Sequence, residues 1–247
     1  MRDELWNRWL TALEQRALAD LTFAEVRRGV QALSSLYVER RERLQETGAL
    51  GSRAKQAAFA WFYGPLHFLL LERIFAHLAV PGGRTIVDLG CGTGVAGAAW
   101  ATLDDARASV LGYDAHPWAV REAAWTYRTL EIRGVARRLD AGRVQYPQGS
   151  SVVAAFVVNE LGADIRLALR DRLVRHARDG GSVLVVEPLA RRALPWWDDW
   201  VTAFQGAGGR ADLWRERVDL PDAIRRLDRA AHLHHDELSG RSLYLRG

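Results

Sequence analysis

The residues with the most evident chemistry in this chain are Val87-Asp88-Leu89-Gly90-Cys91-Gly92-Thr93-Gly94. Glycines 90, 92 and 94 directly follow Thr85-Ile86-Val87-Asp88-Leu89, a short apolar run of the kind buried on both faces of a parallel sheet. Glycine permits left-handed backbone angles and lets the main chain touch a ligand, so strand, glycine turn and helix together form a nucleotide-binding element. Further on, Leu111-Gly112-Tyr113-Asp114 closes a second apolar run with a carboxylate. At the end of a strand beside the first, Asp114 can accept both hydroxyls of a ribose; the alternative is that it caps the next helix. The acid before the bend, Asp88, suits an ammonium group better than a pyrophosphate, which argues against a nicotinamide dehydrogenase.

These residues need a βαβ framework to bring them together. After Thr85 the pattern alternates short apolar strands with helices. Strands are expected at 85–89, 108–113, 135–139, 151–158 and 182–187, with helices at 95–103, 118–132 and 165–177 between them. Residues 1 to about 80 read instead as helical, with apolar stripes such as Val26, Val30, Leu33, Tyr37 and Leu44. Thr22 and Glu25 have capping-box spacing. Tyr63-Gly64-Pro65 is expected to stop a helix over 52–62 before another begins at Leu66. Near the end, a helix over 195–204 and an extended stretch over 212–219 precede two short strands, 231–235 and 242–246, expected to pair with each other. His232, His234 and His235 then belong to a sheet edge, where neighbouring side chains face opposite ways, and no metal site is expected.

Composition narrows the classes. In 247 residues, 49% hydrophobic and 26% charged, the chain is neither disordered nor fibrous. No uninterrupted apolar run reaches the roughly 18 residues of a membrane span, and Met-Arg-Asp-Glu-Leu-Trp is no secretory leader, so a cytoplasmic protein is expected. A single cysteine excludes an internal disulfide and any cysteine cluster for zinc or iron–sulfur. Cys91 reads as a buried spectator. The net charge of +4 permits contact with nucleic acid, but Lys55 is the only lysine among 34 basic residues, which has the uniformity of a compositional bias.

The run Ile86 to Gly94 resembles the first motif of the class I S-adenosylmethionine-dependent methyltransferases, and Gly112 to His116 resembles their second. The resemblance implies an α/β fold: a doubly wound, mostly parallel, seven-stranded Rossmann-like sheet over 81–247, with an N-terminal helical lid or substrate-recognition subdomain over 1–80. It implies S-adenosylmethionine as cofactor, with Asp88, Gly90, Cys91, Gly92 and Gly94 around its methionine and ribose parts. Asp114 would hold the ribose hydroxyls, Ala115 and His116 would lie beside the adenine, and Asp140 with Ala141 near the adenine amine. Tyr63 would add an aromatic wall to the cofactor cleft.

In such a fold the acceptor lies beyond the fourth strand, which here leads to Asn159-Glu160. Asn159 can hold the acceptor or the cofactor's amino group; Glu160 can act as a base or bind a cation, and helix capping is the alternative for both. Asn159-Glu160 is not the Asn-Pro-Pro-Tyr pattern of exocyclic-amine methylation, and one cysteine cannot run a two-cysteine mechanism. Glu187 lines the same rim, and Trp196 and Trp197 form an apolar wall for the acceptor or a packing contact. Tyr37 and Arg40 on the helical arm, Asn159-Glu160-Leu161, and Val185-Val186-Glu187-Pro188 together resemble the methyltransferase-like family associated with the small ribosomal subunit. That resemblance implies ribosomal RNA or the small ribosomal subunit as partner. A small-molecule acceptor and a non-enzymatic ribosome-assembly factor that keeps the fold both stay open.

Overall fold

The computed structural model describes residues 2–39, 50–80, 84–104, 108–189 and 195–247. In chain order its helices and strands begin with α1 (Arg2–Asp20), α2 (Phe23–Glu39), α3 (Arg53–Ala58), α4 (Gly64–Leu78), β1 (Thr85–Leu89), α5 (Val95–Ala101), β2 (Ser109–Asp114) and α6 (Pro117–Thr129). They continue with β3 (Gly134–Arg138), β4 (Ser151–Ala155), α7 (Ala163–Arg178), β5 (Ser182–Glu187), α8 (Pro195–Gln205), β6 (Arg210–Arg217), α9 (Asp222–Ala230) and β7 (Glu237–Arg246). Two compact units divide them: Met1–Leu69 with Arg217–Leu238, and Leu70–Glu216 with Ser239–Gly247. Residues 217–238 thus group with the helical unit, although they lie far from it in sequence. Among the described residues no helix is long and apolar enough to cross a membrane.

In the helical unit, Trp9, Leu10 and Leu13 of α1 and Val26, Val30 and Leu33 of α2 are buried, as their spacing requires. The capping box at the start of α2 is formed: the Thr22 N–H donates to Glu25 Oε2 at 2.7 Å, and the Glu25 N–H to Thr22 Oγ1 at 3.3 Å. The expected stop at Tyr63-Gly64-Pro65 does not occur. A π-helical turn, Phe59–Tyr63, joins α3 to α4, with the Gly64 N–H donating to the Phe59 carbonyl. Proline removes one helical hydrogen bond and crowds the carbonyl four residues back. Widening the preceding turn to i→i−5 bonding absorbs both effects, and the helix runs on.

The sheet has seven strands in the order β3-β2-β1-β4-β5-β7-β6. The five from β3 to β5 pair in parallel, and β7 runs antiparallel to β5, with Glu187 opposite Arg241 and Ser182 opposite Arg246. This is the Rossmann-like architecture of the class I methyltransferases. The central strands are buried almost throughout, which explains their unbroken apolar sequence. One face packs Val152, Ala154, Val183 and Val185 against Leu169, Leu173, Trp197, Trp200 and Phe204.

The chain's end departs from expectation. Residues 231–235 form a turn after α9, a helix the pattern does not predict, and β7 lies between β5 and β6 rather than pairing with 231–235. His232 and His234 sit in that turn at φ +61° and +54°. Asp228, buried at the end of α9, receives both the main-chain N–H of His235 and its ring Nδ1, each within 2.8 Å. A buried acid with these two partners organises the turn locally.

Candidate functional site

The glycine turn stands where the sheet's strand order reverses, between β1 and β2 on one side and β4 on the other. Gly90, Gly92 and Gly94 have φ of +62°, +53° and +79°, so each uses the left-handed region that other residues avoid. Gly94 begins α5 as its N-cap. The turn is tied to β2 at two points: the Cys91 N–H donates to the Tyr113 carbonyl at 2.9 Å, and the Gly92 N–H to Asp114 Oδ2 at 2.9 Å.

Asp88 lies behind the turn, 1% exposed, with Oδ2 accepting the Gly97 N–H of α5 at 2.8 Å. Burial pushes its carboxyl up to about 7, with Asp114 adding to the rise and the Gly97 hydrogen bond opposing it. It therefore anchors the helix that follows the turn. Cys91 is buried, and burial with the charges of Asp88 and Asp114 raises its thiol far above the usual range. A buried thiol raised in this way has little thiolate character.

Tyr127 was missed in sequence. This α6 residue is fully buried beneath the turn, and a Cβ placed on Gly94, Gly112 or Gly134 would fall within 2.8 Å of its ring or hydroxyl. Three glycines from different elements make room for one aromatic side chain. The available signal was Gly112 inside a strand, where glycine usually weakens pairing, with Gly134 at the start of the next.

Asp114 is half-buried and also accepts the His116 N–H at 2.7 Å through Oδ1. A carboxylate accepts about four hydrogen bonds, so the two made here leave capacity for two ribose hydroxyls. Ala115 and His116 follow it on the exposed surface, with His116 Nδ1 capping α6 by accepting the Trp118 N–H. Asp140 caps a short 3₁₀ turn by accepting the Gly142 N–H at 2.8 Å, and Ala141 is buried next to it. Arg172 of α7 clamps that turn by donating to the carbonyls of Gly142 and Val144. Positive-φ glycines, a hydroxyl acceptor and the start of a helix at one sheet end fit an adenosyl cofactor.

On the other flank β4 ends at Ala155, three residues before the expected limit, and the chain turns before delivering Asn159 and Glu160. Glu160 keeps a face open to solvent, yet surrounding protein and the charge of Asp114 push its carboxyl up to about 7. Glu187 is wholly enclosed; Oε1 accepts the Asn159 N–H at 3.2 Å, while Oε2 is buried without a hydrogen-bond partner. Trp197 packs in the core with Trp200, and the Arg241 guanidinium lies 4.1 Å above its ring. Trp196 is half-buried beside it under Arg166.

The remaining candidates belong to the helical unit. Tyr63 is half-buried there, its hydroxyl hydrogen-bonded to Ser34 and raised by the loss of surrounding water. Tyr37 lies on α2, with its side chain outside the described residues, as is all of Arg40. Among the described residues no group of three or more histidine, cysteine or acidic side chains could hold a metal ion.

Comparison with known proteins agrees with this geometry. Residues 69–186 match the family model described as the methyltransferase small domain. A 76-residue segment is 45% identical to ribosomal RNA large subunit methyltransferase G of Streptomyces coelicolor, covering 30% of this chain and 20% of that enzyme. The chain therefore spans about one fifth of the length of that curated relative. Among solved structures, a SAM-dependent methyltransferase from Aquifex aeolicus is similar with a TM-score of 0.50 at 15% identity, over 74% of this chain and 92% of that one. The magnesium protoporphyrin IX methyltransferase of Synechocystis PCC 6803, solved with bound SAM, gives 0.51 at 15% identity over 89% and 97%. The motif, the matched segment and the sheet order agree on the fold of a class I S-adenosylmethionine-dependent methyltransferase, with residues 69–186 similar to the methyltransferase small domain.

Proposed function

We propose that this protein transfers a methyl group from S-adenosylmethionine to ribosomal RNA. The observation that carries the cofactor half is the Gly92–Asp114 hydrogen bond, which draws the glycine turn and the expected ribose acceptor into one surface. In this scheme Gly90, Cys91, Gly92 and Gly94 supply main chain to the methionine end, and Asp88 holds the turn's helix in register. Asp114 binds the ribose hydroxyls, and Ala115, His116, Asp140 and Ala141 border the adenine. When bound, the cofactor supplies an electrophilic methyl group, so the protein's tasks are alignment, exclusion of water and removal of a proton.

Asn159 orients the acceptor, and Glu160 takes its proton, helped by a carboxyl that titrates near neutrality. Support for RNA comes from the likeness to the Streptomyces coelicolor enzyme and from the net charge of +4. Residues 1–80, with Tyr37, Arg40 and Tyr63, serve acceptor recognition, and Trp196 borders the acceptor side. A cytoplasmic location belongs to the same proposal. Calorimetric titration with S-adenosylmethionine, S-adenosylhomocysteine and NAD tests the cofactor; binding of the first two without the third is expected. Radiolabelled methyl transfer to ribosomal RNA, with a metabolite extract in parallel, tests the acceptor. Label in the metabolites alone would establish a small-molecule enzyme, and cofactor binding without transfer to either would favour an assembly factor.

A further inference from the structure

Phe156, the residue after β4, sits at φ +61°, a conformation that bulky side chains rarely adopt. Such strain persists only where the surroundings over-determine it. Two ties from β5 do so. The Phe156 N–H donates to the Val186 carbonyl at 2.8 Å, and Glu187 Oε1 accepts the Asn159 N–H at 3.2 Å, with the Val158 N–H also favouring its charged form. Val158 and Asn159 open the short 3₁₀ turn Val158–Glu160, so Glu187 caps that turn from a different strand.

Between the two ties lies Val157. A Cβ placed on Gly90 would sit 2.2 Å from its Cγ2, so Val157 rests against the first residue of the glycine turn. Glu187 itself is wholly buried and reaches this segment through the Asn159 main chain.

We propose that Glu187 is a positioning residue: its carboxyl holds the 156–160 turn so that Asn159 and Glu160 face the acceptor while Val157 braces the cofactor's glycine turn. One buried side chain thereby couples the acceptor half of the site to the cofactor half. What those halves bind rests on the methyltransferase function proposed above; the bracing does not. The groups facing the carboxyl are Glu160, which with burial pushes it up to about 8, and Arg241 on β7, which opposes that rise. Even as a neutral acid it accepts an N–H through its carbonyl oxygen, so a glutamine can replace it in the cap.

The test is amide hydrogen exchange on the full chain, with and without S-adenosylhomocysteine, in wild type, Glu187→Ala, Glu187→Gln and Val157→Ala. Without ligand, Glu187→Ala should speed exchange of residues 156–160 by roughly tenfold or more, while Glu187→Gln stays near wild type. With ligand, Gly90–Gly94 should be protected in all four proteins. Protection should extend to 156–160 in wild type and Glu187→Gln, but not in Glu187→Ala or Val157→Ala. Equal exchange of 156–160 in wild type and Glu187→Ala would overturn the proposal, as would ligand protection that ignores Val157→Ala. Should Glu187→Ala fail to fold, Val157→Ala and Glu187→Gln still decide it. Failure of wild type to bind the ligand would sink the cofactor assignment instead, leaving the ligand-free comparison to judge the cap.

Discussion

Two turns leave neighbouring strands at the same end of the sheet, and they solve one steric problem in opposite ways. After β1 the chain bends through three positive-φ glycines, so the tight path is relieved by the absence of side chains. After β4 it bends through Phe156, also at positive φ, and the strain is carried by hydrogen bonds from β5. The first turn owes its tight bends to its own residue types, with β2 tying it at two points. The second leans on β5, on the Val186 carbonyl and, as proposed, on Glu187, both distant in sequence and adjacent in space.

That contrast can be broken experimentally, beginning with Gly90. Gly90→Ala places a methyl at positive φ and within 2.2 Å of Val157, so it should destabilise the protein by about 2–4 kcal/mol in denaturant unfolding. Adding Val157→Ala should recover part of the loss, giving a measurable coupling energy in a double-mutant cycle.

Next in size is the effect of pH. Glu187 and Asp88, held near 8 and 7 when folded, keep protons that the unfolded chain releases at ordinary carboxylate values. Their contribution is fully present below about pH 4 and is lost as pH rises through 7 and 8. Stability should therefore fall between pH 5 and 8 by an amount on the order of 1–3 kcal/mol, and Glu187→Gln should flatten the upper part of that decline in thermal unfolding.

Asp114→Ala removes an acceptor from Gly92 and His116 as well as from the ribose, and should weaken binding of S-adenosylhomocysteine by about 10–100-fold in calorimetry. The smallest effect sharpens the contrast from the other side. Phe156→Gly relieves the backbone strain but forfeits half-buried side-chain packing, so its net change in stability should stay within about 1 kcal/mol.

The same difference explains what sequence could reveal. Thr85 to Leu89, the glycines and Asp114 announce themselves because their function requires particular residue types at local spacing. Helix α9 stayed hidden because its buried residues are Ile224, Leu227 and Asp228, so one third of its inner face reads as polar. The paired strands expected at its end likewise gave way to a turn anchored by Asp228, whose partner, His235, lies outside the helix. Glu187 was legible as an acid ending a strand, but not as a cap for a turn on the next one. The uninterrupted α3–α4 path shows the converse: Gly64 and Pro65 are strong stop signals, yet a single widened turn overrides them.

Tyr127 has a consequence for how this molecule can vary. Its ring occupies volume vacated at Gly94, Gly112 and Gly134, which come from a turn and two separate strands. A larger residue at any one of the three needs a smaller one at 127, and a smaller residue at 127 leaves a void shared by all three. Among homologous chains these four positions should therefore change together, so that alanine at 112 or 134 accompanies a shorter side chain at 127. Drift in this part of the molecule proceeds by exchanging a packing unit, not by substituting its members singly.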